Sequence, residues 1–198
     1  KEAEEKERKR LAADLHDHLG VQANVILHTA EQLRSEVDPG LIGHLNDSAK
    51  DMLFFLRETL WALKSSDVSA ENTWLRILNF MTRMKRTYTN VRFEINGTPP
   101  VGLLLSSAKA LNILMIIQEA VNNAVRHSRG TLIRIVSESN EAYWRLAVTD
   151  NGTGFSPERV KGESYGLANM KQRAESSGFR FNLSSREGTQ AVIEIPLG

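Results

Sequence analysis

One proline–glycine break constrains the first third of this chain more than any other feature. From Lys1 to about Val37 the sequence reads as a single long helix, its first ten residues almost wholly charged. Asp38-Pro39-Gly40 stops that run, because proline lacks an N–H and glycine favours a helix end. A second helix is predicted from Leu41 to about Lys64, with Leu41, Leu45, Met52, Phe55, Leu56, Leu60 and Leu63 as its apolar positions. Two long helices joined by a short turn make an antiparallel hairpin, and a lone hairpin cannot cover both apolar stripes. Two copies side by side cover them, so the pattern predicts a homodimer built on a four-helix bundle.

Within the first helix, Leu11, Leu15, Leu19, Gln22, Ile26, Thr29 and Leu33 form one mostly apolar stripe when placed about 100° apart per residue. His16 falls about 100° from the centre of that stripe, at its shoulder and toward water. Ala12, Ala13 and Gly20 surround it one turn away, all small, which leaves clearance beside the ring. On this pattern alone an imidazole there is an ordinary solvated side chain, and His18, nearer the stripe, an ordinary bundle-edge histidine.

Ser65-Ser66-Asp67-Val68-Ser69-Ala70 reads as a linker, and the composition changes after it. Residues 69–198 predict a mixture of helices and strands without regular alternation: an α+β unit with a mixed sheet. Helices are expected at 71–88, 106–127 and 165–177, the last stopped by Gly178. Strands are expected at 91–95, 131–137, 143–149, 179–184 and 190–196, with Trp144, Leu146 and Val148 inward in the third. Phe155 to Ser164 reads as a polar loop.

Charge and residue usage exclude several classes. The net charge is +1 over 198 residues, which offers no broad field for nucleic acid or an anionic surface, so a DNA-binding module is disfavoured. The absence of cysteine removes disulfide and thiolate chemistry. The five histidines are scattered, without a metal-ligand spacing. No apolar run is long enough for a membrane span, and the chain opens on Lys1. The expectation is therefore a piece of a longer protein, tied to a membrane only through segments upstream.

Three motifs in the second unit can carry chemistry. In the helix at 106–127, Leu111, Leu114, Ile117, Val121 and Val125 form an apolar surface, while Glu119, Asn123 and Arg126 share a polar edge with His127 close by. Oxygen-bearing side chains one turn apart suit Mg²⁺, which takes few protein ligands and keeps water and phosphates; a solvated helix edge is the plain alternative. Asp150-Asn151-Gly152-Thr153-Gly154-Phe155 follows directly on a strand. It fails as a calcium loop, which needs oxygens where the glycines stand and a Glu where Lys161 stands. It fails as a dinucleotide fingerprint and as a Walker A loop. What remains is an acid at a strand end, able to accept an exocyclic amine, with glycines that let backbone approach a base; a simple turn is the alternative. Tyr165-Gly166-Leu167-Ala168-Asn169-Met170 opens a helix after a loop, a place suited to phosphate or to plain helix entry. Gly188-Thr189 precedes a closing strand.

In order and spacing, this set resembles the catalytic core of bacterial sensor histidine kinases, in the branch that partners NarL-type response regulators. Leu15-His16-Asp17-His18-Leu19-Gly20 resembles that branch's phospho-acceptor box. Gln118-Glu119-Ala120-Val121-Asn122-Asn123-Ala124-Val125-Arg126-His127 resembles the N box of the GHKL ATPase fold. The Asp150–Phe155, Tyr165–Met170 and Gly188-Thr189 stretches resemble its successive glycine boxes.

The resemblance implies a dimerisation and histidine phosphotransfer hairpin at 1–68 and a GHKL-type ATP-binding α+β sandwich at 69–198. It implies ATP and Mg²⁺, and a response regulator receiver domain as partner. His16 would take the γ-phosphoryl group in its neutral form, which an ordinary imidazole mostly holds at pH 7. Asp17 would hold or deprotonate Nδ1–H, leaving Nε2 to attack. Asn123 would bind Mg²⁺ and Glu119 would position the metal or its water. Asp150 would meet the adenine amine, with Gly152 and Gly154 beside it and Thr189 in the last glycine box. Arg126 and His127 would lie near phosphate, and Gly166 and Leu167 near a mobile lid. The Ser65–Ala70 joint would act as a hinge. Two positions depart from the pattern. Val21 stands where many relatives carry a Gln that serves a phosphatase activity, and Ser164 stands at the first glycine of the lid box. Alternatives from other classes are a catalytically silent dimeric scaffold of the same fold and a GHKL ATPase or protein-serine kinase.

Overall fold

The computed structural model describes residues 19–21, 23–33, 39–64, 67–154 and 165–197. His16, Asp17, the Ser65-Ser66 pair and the loop at 155–164 lie outside the described residues. The chain divides into two compact units, Lys1–Ser66 and Asp67–Gly198.

In the first unit, residues 19–21 and 23–33 are helical (α1), and α2 spans Pro39–Lys64. Pro39 and Gly40 are therefore the opening residues of α2, not a turn before it. A proline in the first helical turn loses nothing, since its missing N–H would have no intrahelical partner. Phe55, Glu58, Thr59 and Ala62 are the buried positions among the described residues of α2, spaced as one helical stripe, and the Thr59 hydroxyl donates to the Phe55 carbonyl at 2.9 Å. Leu60, expected on the apolar side, lies about 140° off that stripe and is exposed. Among the described residues, no helix is long and apolar enough to cross a membrane.

The second unit opens with two short strands that three-residue patterns do not reveal. β1 (Asp67–Ser69) pairs antiparallel with β3 (Leu104–Ser106), and Val68 lies buried opposite Leu105. The expected boundary after residue 68 thus falls inside a strand. Its pairing puts Asp67 and Val68 with the second unit. Each of these strands ends in a serine that caps the next helix. The Ser69 hydroxyl accepts from Asn72 N–H at 3.1 Å at the start of α3 (Ala70–Thr87), and Ser106 accepts from Lys109 N–H at 3.4 Å at the start of α4 (Ser107–His127).

The loop before β3 is tied to the same corner. Gly102 N–H donates to the Glu71 carboxylate at 3.0 Å, and Ala70 N–H to the Leu103 carbonyl at 2.8 Å. The Gly102 bond, with the helix-start N–H of Glu71 itself and the Ser69 hydroxyl, holds the Glu71 carboxyl below the usual carboxylate range. A lowered folded-state value means that ionised Glu71 adds stability above its unfolded value, and that this is lost as pH falls through the folded one. Glu71 is exposed, so the effect is small. In Glu71→Gln the amide keeps an acceptor but cannot ionise. The gap in Tm between wild type and this variant is expected to close between pH 7 and pH 3; a gap that stays constant would refute the linkage.

The main sheet has the order β2-β4-β5-β7-β6. β2 (Arg92–Gly97) runs parallel to β4 (Leu132–Ser139), whereas β4–β5, β5–β7 and β7–β6 are antiparallel, so the sheet is mixed. β5 spans Tyr143–Asp150, β6 Arg180–Arg186 and β7 Gly188–Pro196, with α5 (Tyr165–Ser177) before β6. Trp144, Leu146 and Val148 are buried on alternate positions of β5. The Trp144 indole N–H donates to Ser137 Oγ at 2.8 Å, whose own hydroxyl donates to the Thr98 carbonyl at 2.9 Å.

α4 packs between α3 and α5 and against β4 and β5. Its sequence suggested one apolar face, yet Ala110 to Gln118 are all buried. A helix covered on every side needs no polar face. Only its last turns, from Glu119 onward, present the expected polar edge.

Candidate functional site

The period of β5 places the acid of the site. Successive strand side chains point to opposite faces, so the phase that buries Trp144, Leu146 and Val148 also carries Asp150 inward at the strand's end. Asp150 is indeed buried. One of its oxygens, Oδ1, accepts the Gly152 N–H at 2.8 Å, which curls the chain into a turn and leaves Oδ2 for another donor.

That turn is fixed by residues that the sequence motifs did not single out. Asn151 Oδ1 accepts from both Thr131 N–H and Leu132 N–H at 2.9 Å, and its amide donates to Thr131 Oγ1 at 3.2 Å. Asn151 thereby staples the turn to the start of β4. Ser128, the buried residue that ends α4, accepts Thr153 N–H on its carbonyl at 2.9 Å, and its hydroxyl accepts Gly130 N–H at 2.9 Å. Gly152 lies so close to Ser128 that a Cβ there would strike the Ser128 carbonyl and, at 2.5 Å, its Cβ. An Asn after the strand-ending Asp, and a Ser closing a helix, were the available signals.

The polar edge of α4 leads into the same region. Asn123 Nδ2 donates to Glu119 Oε1 at 3.1 Å, one helical turn away. Because a carboxylate only accepts, this bond turns the amide NH₂ toward Glu119 and the Asn123 Oδ1 away from it. That oxygen is of the type a hard divalent cation takes. Both side chains are half-buried, whereas Arg126 and His127 are exposed in the last turn, where positive charge also suits a helix C-terminus. Among the described residues, no three His, Cys, Asp or Glu side chains cluster as a metal site, so any cation here would take other ligands as well.

Two glycines complete the enclosure. Gly166, in the first turn of α5, lies against the Glu119 carboxylate, so that a Cβ would meet Oε1 and, at 2.9 Å, Cδ. Leu167 beside it is half-buried. Gly188, at the start of β7 with φ +96°, lies against the Asp150 carbonyl. Thr189 follows it, half-buried and paired with Ser185 of β6. Gly154 has φ +67° at the far side of the turn. Ser128, Gly152, Asp150 and Gly188 are thus joined by successive contacts at the end of α4, while on the same helix Glu119, bonded to Asn123, is met by Gly166. His16 and Asp17, in the other unit, lie outside the described residues.

Comparison with known proteins follows this geometry. Residues 108–198 match the family model described as histidine kinase-, DNA gyrase B- and HSP90-like ATPase. The chain is 28% identical over 203 residues to the sensor histidine kinase LiaS of Bacillus subtilis, spanning 96% of this chain and 54% of LiaS. It is 30% identical over 203 residues to the sensor protein VraS of Staphylococcus epidermidis, spanning 98% of this chain and 56% of VraS. The chain therefore spans about half the length of the curated relatives it matches. In fold it is similar to the histidine kinase domain of a blue-light activated histidine kinase from Erythrobacter litoralis, with a TM-score of 0.61 at 13% identity, covering 88% of this chain and 96% of that one. The second unit carries the ATPase fold shared by histidine kinases, DNA gyrase B and HSP90, in a chain similar along nearly its whole length to sensor histidine kinases.

Proposed function

We propose that this chain is the ATP-dependent protein-histidine kinase core of a two-component sensor. It phosphorylates its own His16 and passes the phosphoryl group to an aspartate in the receiver domain of a NarL-type response regulator. One observation carries the reading: α4 holds the Glu119–Asn123 pair against Gly166 and, at its end, packs through Ser128 on the Asp150–Gly154 turn that Gly188 backs, in the unit that matches the ATPase family.

In this reading the neutral His16 Nε2 forms a bond to the γ-phosphorus of ATP as the bond from that phosphorus to the β,γ-bridging oxygen breaks. ADP leaves with the electron pair, and Asp17 holds the Nδ1–H and steadies the charge that grows on the ring. Asp150 Oδ2 accepts the exocyclic amine of the base. Gly152, packed against Ser128, and Gly154 keep side chains out of the base's way, with Thr189 beside them. Asn123 Oδ1 would hold Mg²⁺, which neutralises phosphate charge when bound, and Glu119 orients that amide. Arg126 supplies positive charge near phosphate with His127 beside it, and Gly166 and Leu167 lie where a lid over ATP would join α5. Catalysis is then mainly positioning and charge neutralisation.

The first unit (1–68 in role) serves dimerisation and phosphotransfer, and the second (69–198) binds ATP. Exposed Val21, Val25 and Leu27 in α1, with Ile42, Leu53 and Leu60 in α2, support a homodimeric four-helix bundle, since a single chain leaves them to water. The core would work on the cytoplasmic side of a membrane-anchored sensor, with a hinge ahead of β1. Val21 in place of Gln argues against a Gln-assisted phosphatase step.

The test is incubation with γ-labelled ATP and Mg²⁺. Label on the protein that is lost in acid and kept in alkali is expected. Acid-stable label would move the reading to a serine kinase, and nucleotide binding without any label to a silent scaffold. A second expectation concerns Gly166→Ala. Alanine is the better helix former by about 0.8–1.0 kcal/mol. The methyl meets only the end of the flexible Glu119 side chain, which can swing aside. Tm should therefore change little while the labelling rate falls about tenfold, because the carboxylate moves from its place beside Asn123. A wild-type rate in this variant would remove Glu119 from the mechanism.

A further inference from the structure

α4 and α5 share a second polar contact that the site itself does not use. Asn112 is buried in α4, two turns before Glu119. Its Nδ2 donates to the Ser177 Oγ at 2.8 Å, and its Oδ1 accepts from Arg173 Nη1 at 3.1 Å. Ser177 is buried and Arg173 half-buried. Seven residues further along α4 stands Glu119; seven residues back along α5 from Arg173 stands Gly166, which touches it. The two helices therefore run antiparallel in one register, held by a polar clamp at one end and closed on the catalytic carboxylate at the other.

We infer that the Asn112–Arg173–Ser177 clamp is the positioning device that sets α5 so that Gly166, and no bulkier residue, faces Glu119. The inference rests on the kinase reading for what Glu119 does. Elsewhere the buried side chains of α4 and α5 are largely apolar, among them Met115, Ile116 and Met170. Apolar packing tolerates sliding, and methionine adapts to irregular gaps, so these contacts specify register weakly. A buried amide is different. Moving α5 by one turn, about 5.4 Å, would leave both of its donor and acceptor groups unpaired away from water. It would also bring a residue with a side chain toward Glu119, because Gly166 is the only glycine in α5. A leucine of similar size at 112 would pack as well and specify less, so the polar group serves register and not cohesion. The clamp thus links the far end of α5 to the geometry of the carboxylate that orients Asn123.

The test uses the full chain with two readouts. Asn112→Leu removes both bonds. Asn112→Asp keeps them, since a carboxylate accepts from both the Arg173 guanidinium and the Ser177 hydroxyl. In Asn112→Leu, hydrogen exchange of the α5 amides is expected to rise about tenfold or more. The labelling rate at saturating ATP should fall about tenfold while KM for ATP moves less than about threefold. Asn112→Asp should restore both. In a Gly166→Ala background, Asn112→Leu should add no further rate loss, because both act through the same carboxylate. Unchanged α5 exchange in Asn112→Leu overturns the inference, as does a rate loss that adds in full to that of Gly166→Ala. If Asn112→Leu does not fold, Ser177→Ala decides, since it removes one bond without adding bulk. Raised α5 exchange then supports the clamp and unchanged exchange overturns it. A wild-type protein that takes no label would defeat the kinase reading, and the exchange measurement would still decide the clamp.

Discussion

His16→Gln is expected to abolish acid-labile labelling from γ-labelled ATP, at least about a hundredfold, and to leave nucleotide affinity within about twofold of wild type. Glutamine keeps a polar side chain of similar reach but has no ring nitrogen lone pair to attack phosphorus. Its amide nitrogen is delocalised and far less nucleophilic. The affinity should hold because every residue assigned to the nucleotide belongs to Asp67–Gly198, whereas His16 belongs to Lys1–Ser66. The separation makes the experiment discriminating. Loss of labelling with binding intact assigns the acceptor. Loss of both would mean that the substitution damages the nucleotide unit, and retained label would mean that another side chain is phosphorylated. His18, two residues on, is the obvious competitor. The sequence pattern puts it on a different side of the predicted helix, nearer the apolar stripe, so His18→Gln should leave the labelling largely intact.

How far the site could be read in advance depended on whether each signal was local. Asp150 was legible as an acid that ends a strand directly before two glycines; that the strand's period also carries it inward emerged with the structure. The Glu119–Asn123 pair was legible because one helical turn separates the two, and the structure joins them by a hydrogen bond. The end of α5 at Gly178 was legible from its terminating glycine, which adopts φ +72°. β1 and β3 were not. Each has three residues, too few to show a period, and they become strands only by pairing across more than thirty residues of chain. The all-round burial of α4 was likewise hidden, since a helix enclosed by α3, α5 and the sheet differs from an amphipathic one only through its neighbours. Ser128 and Asn151 escaped notice for a related reason: the site needs only their turn-forming bonds to backbone, and such residues are common in any loop. The contact of Gly166 with Glu119 spans 47 positions and rests on the register of two helices, which no motif spacing encodes.

Gly188→Ala should be among the most damaging single substitutions in the second unit outside its core. Its φ of +96° lies where an L side chain is rarely found, and a Cβ built there strikes the Asp150 carbonyl oxygen and lies 2.9 Å from the carbonyl carbon. Neither partner is a side chain that can rotate away. One is the backbone at the end of β5, and Asn151 Cα stands 3.2 Å off on the same side. Relief requires β7 to part from β5, or the Asp150 peptide to shift. The conformational part alone costs about 1–2 kcal/mol, and with the steric part the loss should reach about 3 kcal/mol, lowering Tm by about 10 °C. Because the moving peptide carries Asp150, whose Oδ1 holds the Gly152 turn, the surviving folded protein should also bind ATP at least about tenfold more weakly. Glu187→Ala, one residue earlier and exposed, serves as the control and should stay within about 0.5 kcal/mol. A Gly188→Ala protein that melts with the wild type and binds ATP normally would mean that β7 and β5 do not meet as closely as described. It would also remove the physical reason for a glycine before the closing strand.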